Sequence, residues 1–394
     1  MKKSLALICV ACLILALLAG CGANSSDSAS SSDKVVKIGV FEPASGDNGA
    51  GGKQETLGIQ YANSVSPTVD INGTTYDVKL EVVDNESSND KAATAASTLV
   101  SDGVSVVLGS YGSTVSIAGG PTFGDANIPV IGVTCTNPQV TEDNDYYYRI
   151  CFLDPFQGTV LANYAYNTLG LRKAYCLSKL GDDYSNGLVN YFVKAFEALG
   201  GECVTDTFPD GNSDFTSYVA NAKSQGCDVF FSPVSTEAAQ LIIDQVVAQG
   251  ADFPILAGDT WDSNVILQAA QGKDVDVTVT TFYPEGADAK FDSGFKTWVG
   301  ADSTRLSNNG GDDTVAAVSA MGYDAYFVAL QALQNAGSTD SSAVMAALPS
   351  TTYDGVSGHI AFDENGDAVR TTAYVKHANT ETGTWDALPS VTIN

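Results

Sequence analysis

Residues 35–43, VVKIGVFEP, lead into residues 45–53, SGDNGAGGK, and then into residues 54–65, QETLGIQYANSV. The first stretch reads as a strand that is apolar on both faces. The last reads as a helix, and the glycines between them as a tight turn. Strand, glycine turn and helix together make the opening unit of a doubly wound α/β sheet. Glycines closed by a lysine also suggest a phosphate cradle, but the spacing excludes one. A Walker loop ending at Gly52-Lys53 needs glycine at position 47 and a hydroxyl at position 54, where this chain has Asp47 and Gln54. The glycines at 46, 49, 51 and 52 do not fit the dinucleotide fingerprint either. The loop therefore reads as a turn bordering a cleft.

The alternation continues outward from this unit. Strands are predicted at residues 78–87, 104–112 and 128–138, with helices at 54–65, 90–103 and 116–127 between them. After the stretch YYYRICFLDPFQ it restarts. Strands are expected at 171–180, 201–210, 227–234, 253–259 and 275–284, and helices at 185–201, 215–226 and 237–250. Two successive βα series predict two doubly wound, Rossmann-like lobes in an α/β fold. The tail reads differently: a long apolar helix over 314–337, a shorter one over 341–350, and a hairpin across 358–377 turned at Asn365-Gly366.

The composition fits a chain of this kind. Its 394 residues suffice for two domains, and 44% hydrophobic residues can fill a substantial core. A net charge of −27 and no Lys/Arg cluster exclude nucleic acid as a partner. The N-terminus carries Lys2 and Lys3, an apolar stretch and then Cys21, the pattern of a secretory signal. Residues 17–21, LLAGC, resemble a bacterial lipobox, which implies cleavage after residue 20 and lipidation of Cys21. Loss of the two lysines would take the charge from −27 to −29. Residues 21–34 then read as a serine-rich, lipid-anchored tether. Cys135, Cys151, Cys176, Cys203 and Cys227 remain. Their odd number and wide spacing, with no CxxC, predict neither a disulfide framework nor a metal site.

In open α/β sheets a ligand sits beyond the carboxyl ends of the strands, so the loops there hold the candidate residues. Ser113 opens a helix after the third strand, where a hydroxyl and free amides can bind an anion or simply cap the helix. Thr134 and Thr136 end the next strand. In the second half Asp259 and Trp261 share a strand-end loop, and Asp183-Tyr184 brings an aromatic from another. Asp262 or Ser263 reads as the cap of the helix that follows. Each of these loops also reads as an ordinary turn or cap. Together they offer a carboxylate site in one lobe and a carboxylate with aromatic rings in the other, which suits a zwitterion. His359 and His377 lie on the tail, away from these loops, and no catalytic or cofactor motif is present.

The lipobox, KIGVFEPASG, GSYGS, IPVIGVTCTNP, YYYRICFLDPFQG and PILAGDTWDS, in this order, resemble the branched-chain amino-acid-binding proteins of ABC importers. The resemblance covers essentially the whole mature chain. It implies the type I periplasmic-binding fold, with a three-strand hinge near residues 154, 282 and 355. It further implies one lobe from 35–153 plus 283–355 and the other from 154–282 plus 356–394. By the same resemblance Ser113 binds the ligand α-carboxylate, Thr134 gives its carbonyl to the ammonium, and Thr136 binds the head group. Asp259 pairs with the ammonium, Tyr184 closes over the ligand, and Tyr111 and Trp261 border the side-chain pocket. The implied ligand is an amino acid, with branched-chain or aliphatic side chains the first expectation. The implied partner is a membrane ABC permease, reached by a monomer that meets the membrane through its lipid alone. Two departures stand out. Gly51 replaces an aromatic of the relatives, which predicts a lost pocket wall. Asn85 and Gly112 occupy the positions of a disulfide known in some of them. A sensory protein of the same fold, and binders of urea, short amides or aromatic acids, are the alternative readings.

Overall fold

The computed structural model describes residues 34–392, so the signal, Cys21 and all but the last residue of the tether lie outside the described residues. The chain opens as β1 (Val35–Glu42), α1 (Gly49–Val65), β2 (Thr68–Ile71), β3 (Thr74–Asp84), α2 (Asn89–Asp102), β4 (Val106–Leu108), α3 (Ser113–Asp125), β5 (Val130–Gly132) and β6 (Tyr147–Arg149). The six strands form one sheet in the order β2-β3-β1-β4-β5-β6. All pairings are parallel except the β2–β3 hairpin. Alternate residues of this sheet feed two cores. Val36, Ile38 and Val40 pack on one face, while Phe41, Leu99 and Phe123 belong to the other. That explains why the opening strand has no polar face.

The second series runs α4 (Asp154–Asn163), β7 (Lys173–Lys179), α5 (Asp183–Ala198), β8 (Glu202–Phe208), α6 (Thr216–Ser224), β9 (Val229–Phe231), α7 (Thr236–Ala248), β10 (Ile255–Ala257), α8 (Asn264–Ala270) and β11 (Val277–Thr281). Here too the strands are buried on both sides. Tyr175 and Phe230 enter one core, Cys176 and Phe231 the other. The two doubly wound lobes expected from the sequence are borne out.

The chain then returns to the first lobe. It forms α9 (Ala289–Gly300), α10 (Ser303–Asn308), α11 (Ala317–Ala336) and α12 (Ser341–Ala347). Helix α11 lies along α1 at very close range: a Cβ at Gly58 would collide with the Ser319 carbonyl, and one at Gly322 with the Glu55 carbonyl. A two-stranded ribbon, β12 (Thr352–Gly355) with β13 (Gly358–Ala361), follows. Finally β14 (Thr372–Asn379) and β15 (Thr384–Thr392) complete the second sheet, in the order β15-β14-β11-β10-β9-β7-β8.

The tail corrects one expectation. The turn at Asn365-Gly366 exists, with Gly366 at φ +82° and its amide bonded to the Asp363 carbonyl at 3.1 Å. The segments on either side do not form a hairpin beyond a single bridge, Phe362–Ala368. β13 pairs with β12, and β14 pairs with β11. The cause is Arg149, at the end of β6. Its amide donates to the Gly366 carbonyl, its carbonyl accepts from the Ala368 amide, and its buried guanidinium pairs with Asp367 at 2.5 Å. The turn thus joins the edge of the first sheet.

Candidate functional site

The carboxyl ends of both sheets point into the space between the lobes, and each predicted residue follows from its place on them. Ser113 is the first residue of α3 and is buried; no side chain caps that helix, and its hydroxyl accepts the Asn137 amide at 3.2 Å. Thr134 and Thr136 follow β5, both buried. The Thr134 hydroxyl donates to Glu55 on α1, and the Thr136 hydroxyl faces the buried Asp154 carboxyl. From the second lobe, Asp259 stands at the end of β10 with 2% of its surface exposed. Its Oδ1 accepts from Gln157 Nε2 at 2.6 Å and from the Tyr184 hydroxyl at 2.9 Å. Burial pushes this carboxyl up to about 6, although both hydrogen bonds oppose the shift.

Ser113, Tyr111 and Tyr184 line one cleft cavity of about 420 Å³, together with Pro43, Lys179 and Thr260. Thr134, Thr136 and Asp259 lie behind that lining. Trp261 does not join them. It is fully buried in the second lobe, where its indole N–H donates to the Val234 carbonyl at 3.0 Å. The tight turn over Asp259–Trp261 sends the acid toward the cleft and the indole into the core. The cap of α8 is Ser263, whose hydroxyl accepts the Val265 amide. Asp262 instead forms a buried ion pair with Lys376 of β14 at 2.9 Å.

Gly51 also differs from expectation. The pocket does not lose a wall there, because the Tyr111 ring fills the place: a Cβ on Gly51 would run into that ring. The Tyr111 hydroxyl then crosses to the second lobe and donates to the Thr260 carbonyl at 3.0 Å. Other bonds cross nearby. Thr114 Oγ1 donates to Asp182 at 2.8 Å, Asn137 Nδ2 to the Asp183 carbonyl at 2.7 Å, and Lys179 pairs with Asp47 at 2.5 Å. The lobes therefore face each other closed.

Sequence reasoning missed four polar residues here: Glu42, Glu55, Asp154 and Gln157, all buried. The one available signal was an acid, Glu42, ending an otherwise apolar buried strand. Among the described residues no three His, Cys, Asp or Glu side chains are arranged to hold a metal ion. The site can bind and enclose; what it offers a ligand is hydroxyls and helix amides on one side and a carboxylate on the other.

The comparisons with known proteins bear on the family and the fold. A family model described as periplasmic binding protein matches residues 35–383. The Leu/Ile/Val-binding protein homolog 1 of Brucella abortus is 28% identical over 336 residues, covering 84% of this chain and 87% of that protein. The crystal structure of the leucine-binding protein LivK from Thermotoga maritima is 31% identical, with a TM-score of 0.79 over 91% of this chain and 99% of its own. LivJ of Streptococcus pneumoniae, solved with isoleucine, is 25% identical with a TM-score of 0.78 over 91% and 100%. A Rhodopseudomonas palustris solute-binding protein solved with benzoate shares the fold at 20% identity, with a TM-score of 0.76 over 91% of this chain and 98% of its own.

Proposed function

The chain belongs to the periplasmic binding protein family, and from that premise we propose that it is the extracytoplasmic solute-binding component of an ABC importer, enclosing an α-amino acid between its lobes. One observation carries the choice of ligand class. Asp259 is a buried carboxylate just behind the cleft lining, with no protein cation bonded to it. A buried charge of this kind is stable only with a paired partner, and an α-ammonium supplies one. An aromatic acid brings a second negative charge instead, which speaks against the benzoate-type ligand of the distant structural relatives.

In this reading Ser113 and the amides at the start of α3 hold the α-carboxylate. The Thr134 carbonyl, and the amide and hydroxyl of Thr136, take the rest of the head group. Tyr184 closes from the second lobe and orients Asp259, and Tyr111 walls the side-chain pocket. Trp261 has no ligand contact; it anchors the loop that carries Asp259. Hinge closure is the general behaviour of periplasmic binding proteins as a class. The hinge would consist of three crossings, near 154, near 282 and, because Asp367 still pairs with Arg149 of the first sheet, near 370 rather than 355. The closed form would dock on a membrane permease as a monomer, and we assign the site no catalytic role. Lipidation of Cys21 would keep the protein beside that permease and raise its effective concentration. Its check is membrane association of the intact chain, which Cys21→Ser should abolish.

The ligand class is tested by calorimetry with amino acids and their α-hydroxy acid analogues, which lack only the ammonium. Loss of a charge-assisted bond predicts about tenfold or greater weakening for the hydroxy acid. Equal affinity for both would remove the ammonium from the site and overturn the reading.

A further inference from the structure

Two buried carboxyls of the first lobe have no part in holding the head group. Glu42 ends β1 and Glu55 lies on α1, and they tie together the loops that carry the site. Glu42 Oε2 accepts the Tyr111 amide at 2.7 Å, and Glu55 Oε2 accepts the Thr134 hydroxyl. The other oxygen of each, Glu42 Oε1 and Glu55 Oε1, is buried with no donor from any other residue, and the two carboxyls meet each other. Gln157 Oε1 is likewise without a donor, and the Thr136 hydroxyl and the Asp154 carboxyl have only each other. Buried polar atoms almost always find partners, yet these six have at most one another. Five of them are carboxyl or amide oxygens, which accept unless a carboxyl holds a proton. What the region lacks is donors.

The charges agree with that count. The groups that act on Glu42 and Glu55 are each other, Cys135, Asp259, and the Thr134 and Tyr111 donors, with no cation among them. The two buried cations nearby are already committed, Arg149 to Asp367 and Lys376 to Asp262. Tyr111 and Tyr147, which also face the pair, are held neutral by burial. Desolvation pushes Glu55 up to about 7 and Glu42 well above its usual range, so near neutrality the pair retains a proton. A proton held by two carboxyls is what a cation can displace. An aliphatic side chain seated there would bring no donor and leave the pair dependent on that one proton.

We propose that the amino acid enclosed in the cleft carries a second cationic group at the end of its side chain, an ammonium or guanidinium, seated on Glu42 and Glu55. This rests on the amino-acid reading above, with Asp259 taking the α-ammonium.

The test is calorimetry on the intact protein with L-lysine and L-norleucine, which differ by the terminal ammonium, alongside L-arginine and L-leucine. At pH 7.5 lysine or arginine should bind about ten- to a hundredfold more tightly than norleucine and leucine. The advantage should grow between pH 6.5 and pH 8, as the retained proton becomes easier to displace. Glu42→Gln, which keeps an acceptor for the Tyr111 amide, should erase most of it, and Glu55→Gln provides an independent second variant. Norleucine or leucine binding as tightly as lysine and arginine would overturn this inference and leave the amino-acid reading standing. A lysine preference untouched by either variant would overturn the placement on Glu42 and Glu55. Failure of all amino acids to bind would overturn both readings. The wild-type comparison needs no variant to fold.

Discussion

The position of Asp259 was legible because the βα alternation places the loop that carries it at a strand's carboxyl end. Its neighbour Trp261 was misplaced by the same logic. An aromatic next to that acid reads as a pocket wall, but one tight turn separates their directions, and the indole N–H finds the Val234 carbonyl inside the lobe. Gly51 and Tyr111 show a second kind of illegibility. The glycine alone implies an open pocket, while the ring that fills it comes from a loop sixty residues later, and only the folded chain brings the two together. Glu42 and Glu55 were hidden for another reason. One ends an apolar strand and the other sits in an unremarkable helix, and nothing local shows that they meet.

At the scale of elements, the period of the sequence settles which segments are strands and helices but not which strands pair. The strands of both βα series carried their own evidence, being apolar on both faces and separated by helical runs. The tail did not, because its pairing is decided by two buried ion pairs made with distant partners. Arg149 with Asp367 holds the turn before β14 on the first sheet, and Lys376 of β14 with Asp262 braces the loop of Asp259. Each pair also supports half of the site. Arg149 donates to the carbonyls of Cys135 and Asn137, which flank Thr136. Removing Asp367 would leave Arg149 buried without its counter-charge. Asp367→Ala should therefore cost about 3–5 kcal/mol in urea unfolding and weaken ligand binding as well. Unchanged stability would show that the turn is held by its backbone bonds alone.

At the scale of the whole molecule, an acidic chain of net charge −27 concentrates uncompensated buried carboxyls where its two lobes meet. Among the described residues no helix is long and apolar enough to cross a membrane. The cost of the carboxyls has a definite sign. A carboxyl raised to about 6 in the folded protein binds its proton more tightly than in the unfolded chain. It therefore weakens folding above that pH, and the loss is recovered as pH falls through 6. A cationic ligand removes the same penalty at neutral pH, which gives the lobes a reason to close on one. The most direct test is calorimetric titration of Asp259→Asn against the wild type at pH 7.5, using whichever amino acid most raises the wild-type melting temperature. The account predicts affinity at least about thirtyfold weaker, with a melting temperature of the unliganded variant equal to or above that of the wild type. Undiminished affinity in the variant would contradict it.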